Sequence, residues 1–260
     1  MPRPRWCLLT AVFLAAVLMA LPATTTATAS TGARAAHTSP AADPGGPSAS
    51  QLLAKVTNCQ QISTGTYATD EGQGGSVPVC QTGGAVFFKA DMDIDCDGQR
   101  TTQCNENTDC CFFPDTAFHT STDQPLNAAE LPYVVMPSPS GIWNYASAGI
   151  DGGSVVAVVY NNQVEYAVVG DTGPTGIIGE ASYATAQALG IDPDPKTGGV
   201  ASGVTYIVFP NSSVTPIENH ANAVSLGQQR ATAFVAGTGG GGSTPGTITG
   251  LGSNQKWTVS

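Results

Sequence analysis

Two groups of carboxylates are the residues in this sequence most able to do chemistry. The first is Asp91-Met-Asp93-Ile-Asp95-Cys-Asp97-Gly98, four acids at alternate positions after an apolar run. If that run continues as a strand, all four project from one face, where mutual repulsion raises some of their pKa values unless a cation neutralises them. Read as a calcium loop, Asp93, Asp95, Asp97 and Gly98 match positions 1, 3, 5 and 6 of an EF-hand, but position 12 falls on Cys104, where a bidentate Glu is required. Flanking helices are not evident either. Three readings stay open for this group: a subsite for a cationic substrate, a structural calcium site, or a solvated acidic turn.

The second group is Asp171 and Glu180, joined by Thr-Gly-Pro-Thr-Gly-Ile-Ile-Gly. Cleavage of a glycosidic bond needs one carboxylic acid to protonate the leaving oxygen. It also needs a carboxylate to attack or to activate water, roughly 5 to 9 Å away, and nine residues including a turn can supply that separation. Spacing by itself is weak evidence, because two acids nine apart are common in exposed loops. Tight geometry strengthens it: Gly170, Gly173, Pro174, Gly176 and Gly179 crowd the segment, and rigid loops at strand ends often carry function.

Other chemistries are disfavoured. The histidines are His37, His119 and His220, and no Gly-x-Ser-x-Gly elbow is present, which argues against a serine nucleophile. No His-Glu-x-x-His helix or phosphate-cradling glycine loop occurs, and no paired Cys-x-x-Cys points to zinc. No cofactor is therefore expected and no metal ligand is assigned, with calcium at the first group left open. Nineteen acids stand against nine bases. That field repels nucleic acid and anionic membranes and suits a polycation, although solubility alone would also account for it.

The elements that must position these acids read as strands. Ser154 to Tyr160 and Gln163 to Val169 are β-branched and aromatic runs separated by Asn161-Asn162, a pair suited to a tight hairpin turn. Further strands are expected at Ala85 to Ala90, Tyr133 to Met136 and Val204 to Phe209. Helical signal is sparse: a short helix over Ala181 to Leu189 closed by Gly190, and another over Ile217 to Phe234, broken near Gly227. With 31 Gly and 18 Pro for turns, the expected fold is mainly β, a single compact barrel with a few short helices.

Residues 1–29 have the layout of an export signal: Arg3 and Arg5, an apolar run from Cys7 to Leu21, then Ala27-Thr28-Ala29. Secretion is the consequence, with no membrane anchor. Removing Arg3 and Arg5 leaves seven bases against nineteen acids, a balance of −12 with His neutral. Residues 30–50 read as a disordered linker, 51–236 as one folded domain, and 237–260 as a Gly-rich linker and disordered tail. Within the tail, Gln255-Lys256-Trp257 is similar to part of a ricin-type carbohydrate-binding repeat, yet fifteen residues cannot build a trefoil. Six cysteines stay after the signal, Cys59, Cys80, Cys96, Cys104, Cys110 and Cys111. An even count in an exported chain predicts three disulfides stapling the N-terminal region, with 15 pairings open.

Three separated segments carry a resemblance. Asp91 to Gly98, Gly141-Ile-Trp-Asn-Tyr-Ala-Ser-Ala-Gly-Ile-Asp151, and Gly170-Asp-Thr-Gly-Pro with Ile178-Gly-Glu-Ala-Ser182 together resemble the chitosanases of glycoside hydrolase family 75, over about residues 51–226. That resemblance implies endo-hydrolysis of β-1,4 links between D-glucosamine units with inversion, and places the essential acids on Asp171 and Glu180. The strand, Asp-Thr-Gly and Ile-x-Gly succession is also similar to that of double-psi β-barrels. Apolar Ile177, Ile178 and Ala181 suggest Glu180 as general acid, with backbone donors around Asp171 keeping it ionised as base. A helix starting at Ala181 argues the reverse. Asp93, Asp95 and Asp97 are expected to pair with sugar ammonium groups, and Trp143 and Tyr145 to stack on sugar faces unless they belong to the core. A monomer acting on chitosan, with no nucleic-acid or membrane partner, is the expected state. The competing classes are a non-catalytic carbohydrate-binding or wall-associated barrel and a peptidoglycan-cutting hydrolase.

Overall fold

The computed structural model describes residues 45–238. The expected signal segment, most of the expected linker and the tail beyond residue 238 lie outside the described residues. Eight strands follow in chain order: β1 (Gln60–Gln61), β2 (Cys80–Thr82), β3 (Ala85–Asp95), β4 (Tyr133–Pro137), β5 (Val155–Tyr160), β6 (Gln163–Gly173), β7 (Glu180–Ser182) and β8 (Val200–Val208). Six of them close a ring in the order β3-β7-β4-β6-β5-β8, with β8 returning to pair with β3. β1 and β2 extend the sheet from the other edge of β3. The fold is thus the mainly β barrel expected. Its parallel pairs, β3 with β7 and β4 with β6, set it apart from an up-and-down barrel.

The β5–β6 hairpin forms as its sequence dictates. Asn161 and Asn162 take φ of 43° and 65°, the left-handed pair of a two-residue turn that matches strand twist. Two strands outrun their expected ends: β3 continues five residues past Ala90, and β6 continues to Gly173, so both carry their acids on the sheet.

Strand alternation sorts apolar side chains into two sets. Phe88, Met92, Val134, Val156, Val169, Ala181 and Tyr206, drawn from all six ring strands, fill the barrel. Phe87, Val135, Val155, Ala157, Val168 and Ile207 point outward. Much of that outer set is covered by two helices, α1 (Ala49–Lys55) and α3 (His220–Ala236), through Leu52, Ala223, Ala231 and Phe234. Each large side chain so buried contributes about 1.5–3 kcal/mol.

α3 runs unbroken through Gly227, contrary to the expected interruption. A Cβ there would overlap the Tyr166 ring, so Gly227 lets the helix approach β6 closely, and packing outweighs its low helix propensity. α1 begins at Ala49, two residues ahead of Gln51, because Ser48 caps it. The other helix, α2 (Tyr183–Ala188), is shorter than expected, since Ala181 and Ser182 are held in β7 and Ser182 caps the helix by accepting from Thr185 N–H.

Two of the three expected disulfides form. Cys59–Cys80 ties the chain before β1 to β2, and Cys96–Cys104 closes the loop that leaves β3. Cys110 and Cys111 correct the expectation of a third: they are sequence neighbours with sulfurs 3.3 Å apart, beyond the ~2.05 Å of a bond.

Candidate active site

The acids expected to do chemistry converge on the outer face of the barrel, where β3, β7, β4 and β6 lie side by side. In β3, Met92 and Ile94 enter the barrel, so Asp91, Asp93 and Asp95 point out. β7 runs parallel to this stretch with Asp93 opposite Glu180 and Asp95 opposite Ser182, which brings Glu180 to the same face as the aspartates. Ser182 locks β7 in place: its hydroxyl donates to Leu131 O and accepts from Tyr133 N–H, tying β7 to β4.

Asp171 reaches this face through an irregularity. Val134 pairs with Val169, but Val135 pairs with Asp171, one residue further on in β6. Without that bulge the alternation that sends Ala167 and Val169 inward would send Asp171 inward too; with it, Asp171 turns outward beside Val135. Two residues on, Gly173 leaves room for Glu180: a Cβ at Gly173 would stand 2.7 Å from Glu180 Oε2. The Glu180 carboxylate therefore overlies β6 next to Asp171.

Both are desolvated, Asp171 at 7 % exposure and Glu180 at 4 %. Asp171 Oδ1 accepts from the backbone N–H groups of Ala117 and Thr172, each at 2.7 Å. Of the donors expected to keep Asp171 ionised, Gly170, Thr172 and Gly173, the backbone of Thr172 donates, with Ala117 in addition, but burial, followed by the charge of Asp95, outweighs them and pushes the Asp171 pKa up to about 8. The charge of Glu180 adds to the same shift, which registers the two acids as electrostatic neighbours.

Asp95 is buried and its Oδ1 accepts from Asp97 N–H at 2.8 Å; Asp97 is half-buried and accepts from Phe113 N–H at 2.7 Å. Carboxylate oxygens of Asp95, Asp97 and Asp171 lie within 4.8 Å of one another. Asp93 is exposed at the rim. The aromatic expectation divides: Trp143 is only 7 % exposed, packed in the inner apolar set, so it is a core residue rather than a sugar platform, while Tyr145 is half-buried against that set.

Three contributors were not singled out from sequence. Tyr133 is fully buried beneath the site, donates to Asp97 O at 2.9 Å, and has its pKa driven up by burial and then by Asp95 and Asp171. Its place in an apolar run marks it only as the start of an expected strand. Ala117 acts through its backbone, which no residue type reveals. Asp70 sits in a Gly-rich loop distant in sequence, and its oxygens meet those of Asp91 and Asp93.

Two buried, neighbouring carboxylates on an acid-rich face form the kind of site with which glycoside hydrolases carry out acid–base cleavage. The family described as fungal chitosanase of glycosyl hydrolase group 75 matches residues 92–237, more than half of the sequence, and the chain belongs to that family. Endo-chitosanase C of Aspergillus oryzae is 34% identical over 131 residues, covering 49% of this chain and 32% of that protein. An endo-chitosanase of Aspergillus fumigatus is 31% identical over 169 residues, covering 60% of this chain and 71% of that protein. The chain thus spans about a third of the length of the A. oryzae relatives it matches. Among solved structures, the Streptomyces papain inhibitor aligns at a TM-score of 0.29 with 19% identity over 50% of this chain and 96% of that one, too slight a likeness to bear on the fold.

Proposed function

We propose that this protein is a secreted, monomeric endo-chitosanase that hydrolyses β-1,4 links between D-glucosamine units with inversion, using Asp171 and Glu180 as its acid–base pair. The observation that carries this is the meeting of those two acids with Asp93, Asp95 and Asp97 on one outer face. An otherwise self-repelling row of carboxylates suits a substrate that brings an ammonium group on every sugar. Family membership and the names of the Aspergillus relatives support the same reading.

Inversion requires room for a water between base and anomeric carbon, a separation of about 6.5–9.5 Å. Residues two apart on a strand stand about 6.6 Å apart, so Asp171 and a Glu180 carboxylate seated over Gly173 suit that span. The protonation of the unliganded site bears on roles. Asp171 holds its proton up to about pH 8, and with Oδ1 taken by two backbone donors the proton belongs on Oδ2. This favours Asp171 as general acid and Glu180 as the base that activates water, the reverse of the local-sequence expectation. Asp95 and Asp97 would hold the ammonium of the sugar at Asp171, with Asp93 at the rim.

The decisive assay measures reducing ends released from soluble chitosan, chitin, cellulose and peptidoglycan. Release from chitosan alone, as the α anomer by NMR, is expected; binding without release would make the protein a carbohydrate-binding barrel, and release from peptidoglycan a wall hydrolase. Azide should rescue Glu180→Ala and not Asp171→Ala, because rescue follows loss of the base. The opposite pattern would exchange the roles.

A further inference from the structure

Asp91 is the acid of this face that the proposed cleavage does not use. It is 3 % exposed, and its Oδ1 has no hydrogen-bond partner among the described residues. A buried polar oxygen without a partner is costly, so a ligand that supplies positive charge there has a large advantage. The neighbours match that need. Carboxylate oxygens of Asp70, Asp91 and Asp93 lie within 4.8 Å of one another, and two ligands each about 2.4 Å from one ion can stand at most about 4.8 Å apart.

We propose that Asp70, Asp91 and Asp93 bind a divalent cation of the calcium class, which ties the Asp70 loop to β3 behind Glu180. All donors seen are hard carboxylate oxygens, which excludes thiophilic metals and suits calcium. The loop is already set for the task. Ala68 N–H donates to Gly176 O at 3.0 Å and Ile178 N–H to Ala68 O at 3.0 Å, fastening it to the turn that leads into Glu180. Within the loop, Gln73 Nε2 and Thr69 Oγ1 both donate to Asp70 Oδ2, which orients that carboxylate. A sugar ammonium is a poorer fit, since its ring would have to follow the nitrogen to a side chain that presents almost no surface, whereas a bare ion needs none.

The site differs from the EF-hand-like reading of Asp93, Asp95 and Asp97. Asp95 faces Asp171 instead, and the loop residue Asp70 takes part in its place. The inference shares only Asp93, at the rim, with the proposed sugar site, and its test reads binding rather than turnover.

The purified full chain, stripped with chelator and held at pH 8, is titrated with calcium chloride by calorimetry and by thermal unfolding. Binding at a Kd of about 10⁻⁴ to 10⁻³ M and a rise in Tm of about 5 °C at saturating calcium are expected. Asp91→Asn should weaken binding at least about tenfold. Exposed Asp70→Asn, which leaves the buried residue in place, should do the same, so a folding defect at Asp91 leaves the test intact. Absence of calcium heat and of any Tm rise in the parent chain would overturn the assignment, as would an undiminished response in both variants. Protection by glucosamine oligomers with none by calcium would overturn it too, returning these acids to the sugar site.

Discussion

The barrel has one outer surface and treats its two halves in opposite ways. Around β5, β8 and the start of β6, outward positions are Val155, Ala157, Val168 and Ile207, sealed under α1 and α3. Around the end of β3, β7 and the end of β6, the same outward register holds Asp91, Asp93, Asp95, Asp171 and Glu180. β3 itself passes from one regime to the other, with Ala85 and Phe87 on the sealed half and the aspartates on the same face further on. The contrast teaches that alternation settles which side a residue takes, while covering elements settle whether that side stabilises the fold or is left for chemistry.

Substitutions should separate the halves. The largest effect belongs to the charged one: Asp171→Asn or Glu180→Gln should lower reducing-end release from chitosan about 10²- to 10⁴-fold, the scale of general acid–base catalysis, with the Tm equal to or above the parent's at pH 8. Full activity in either variant would break the comparison. On the sealed half, Phe234→Ala removes a buried ring that meets Phe209 edge-on at 6.0 Å, and should cost about 3–5 kcal/mol in denaturant unfolding while kcat of the folded fraction stays unchanged.

The next effect is on pH. Asp91 and Asp171 are raised from 3.8 to about 8 on folding, so between those values the native chain keeps protons that the unfolded chain has released. Their contribution to stability is therefore complete below the unfolded value and is lost as pH rises through about 8, provided no cation is bound. Unfolding free energy should fall across that window in chelator, and Asp171→Asn should flatten the fall; an unchanged slope in that variant would deny the shift.

Asp95→Asn sharpens the picture further. Removing the charge that helps raise Asp171 should move the alkaline limb of kcat/KM below about 8 and weaken preference for deacetylated polymer; an unmoved limb would separate the two residues. The smallest effect is expected at His119, whose ring nitrogens meet Asp115 and Asp123 at 2.8 Å each, bracing the loop that offers Ala117 N–H to Asp171. His119→Ala should lower kcat no more than a few fold, since these contacts are solvent-exposed.

Much of the barrel was legible in the sequence because its strands are runs of Val, Ile and Tyr with clear punctuation. Asn161-Asn162 specified its hairpin outright, and the apolar alternation of Met92 and Ile94 sent the aspartates outward once β3 was continuous. The proposed acid pair comes from motif resemblance, and its local environment could not be derived. The bulge opposite Val134 and Val135 is a pairing irregularity between distant strands, and neither Gly170 nor Asp171 announces it. For the same reason Asp70 and the Ala117 backbone were invisible, their roles arising from loops folded across the sheet. Gly227 misled in the other direction, since a residue that commonly ends helices here admits a ring from another strand.

A last consequence follows from β3 having acids on one side and Met92 and Ile94 on the other. Inserting or deleting a single residue ahead of Asp91 would exchange the two sides, driving three aspartates into the interior and thioether and alkyl groups into water. Length variation in this strand should therefore be tolerated in steps of two, or where a bulge restores the alternation as it does opposite Val134 and Val135. The interior packing thereby proofreads the placement of the charges it never touches.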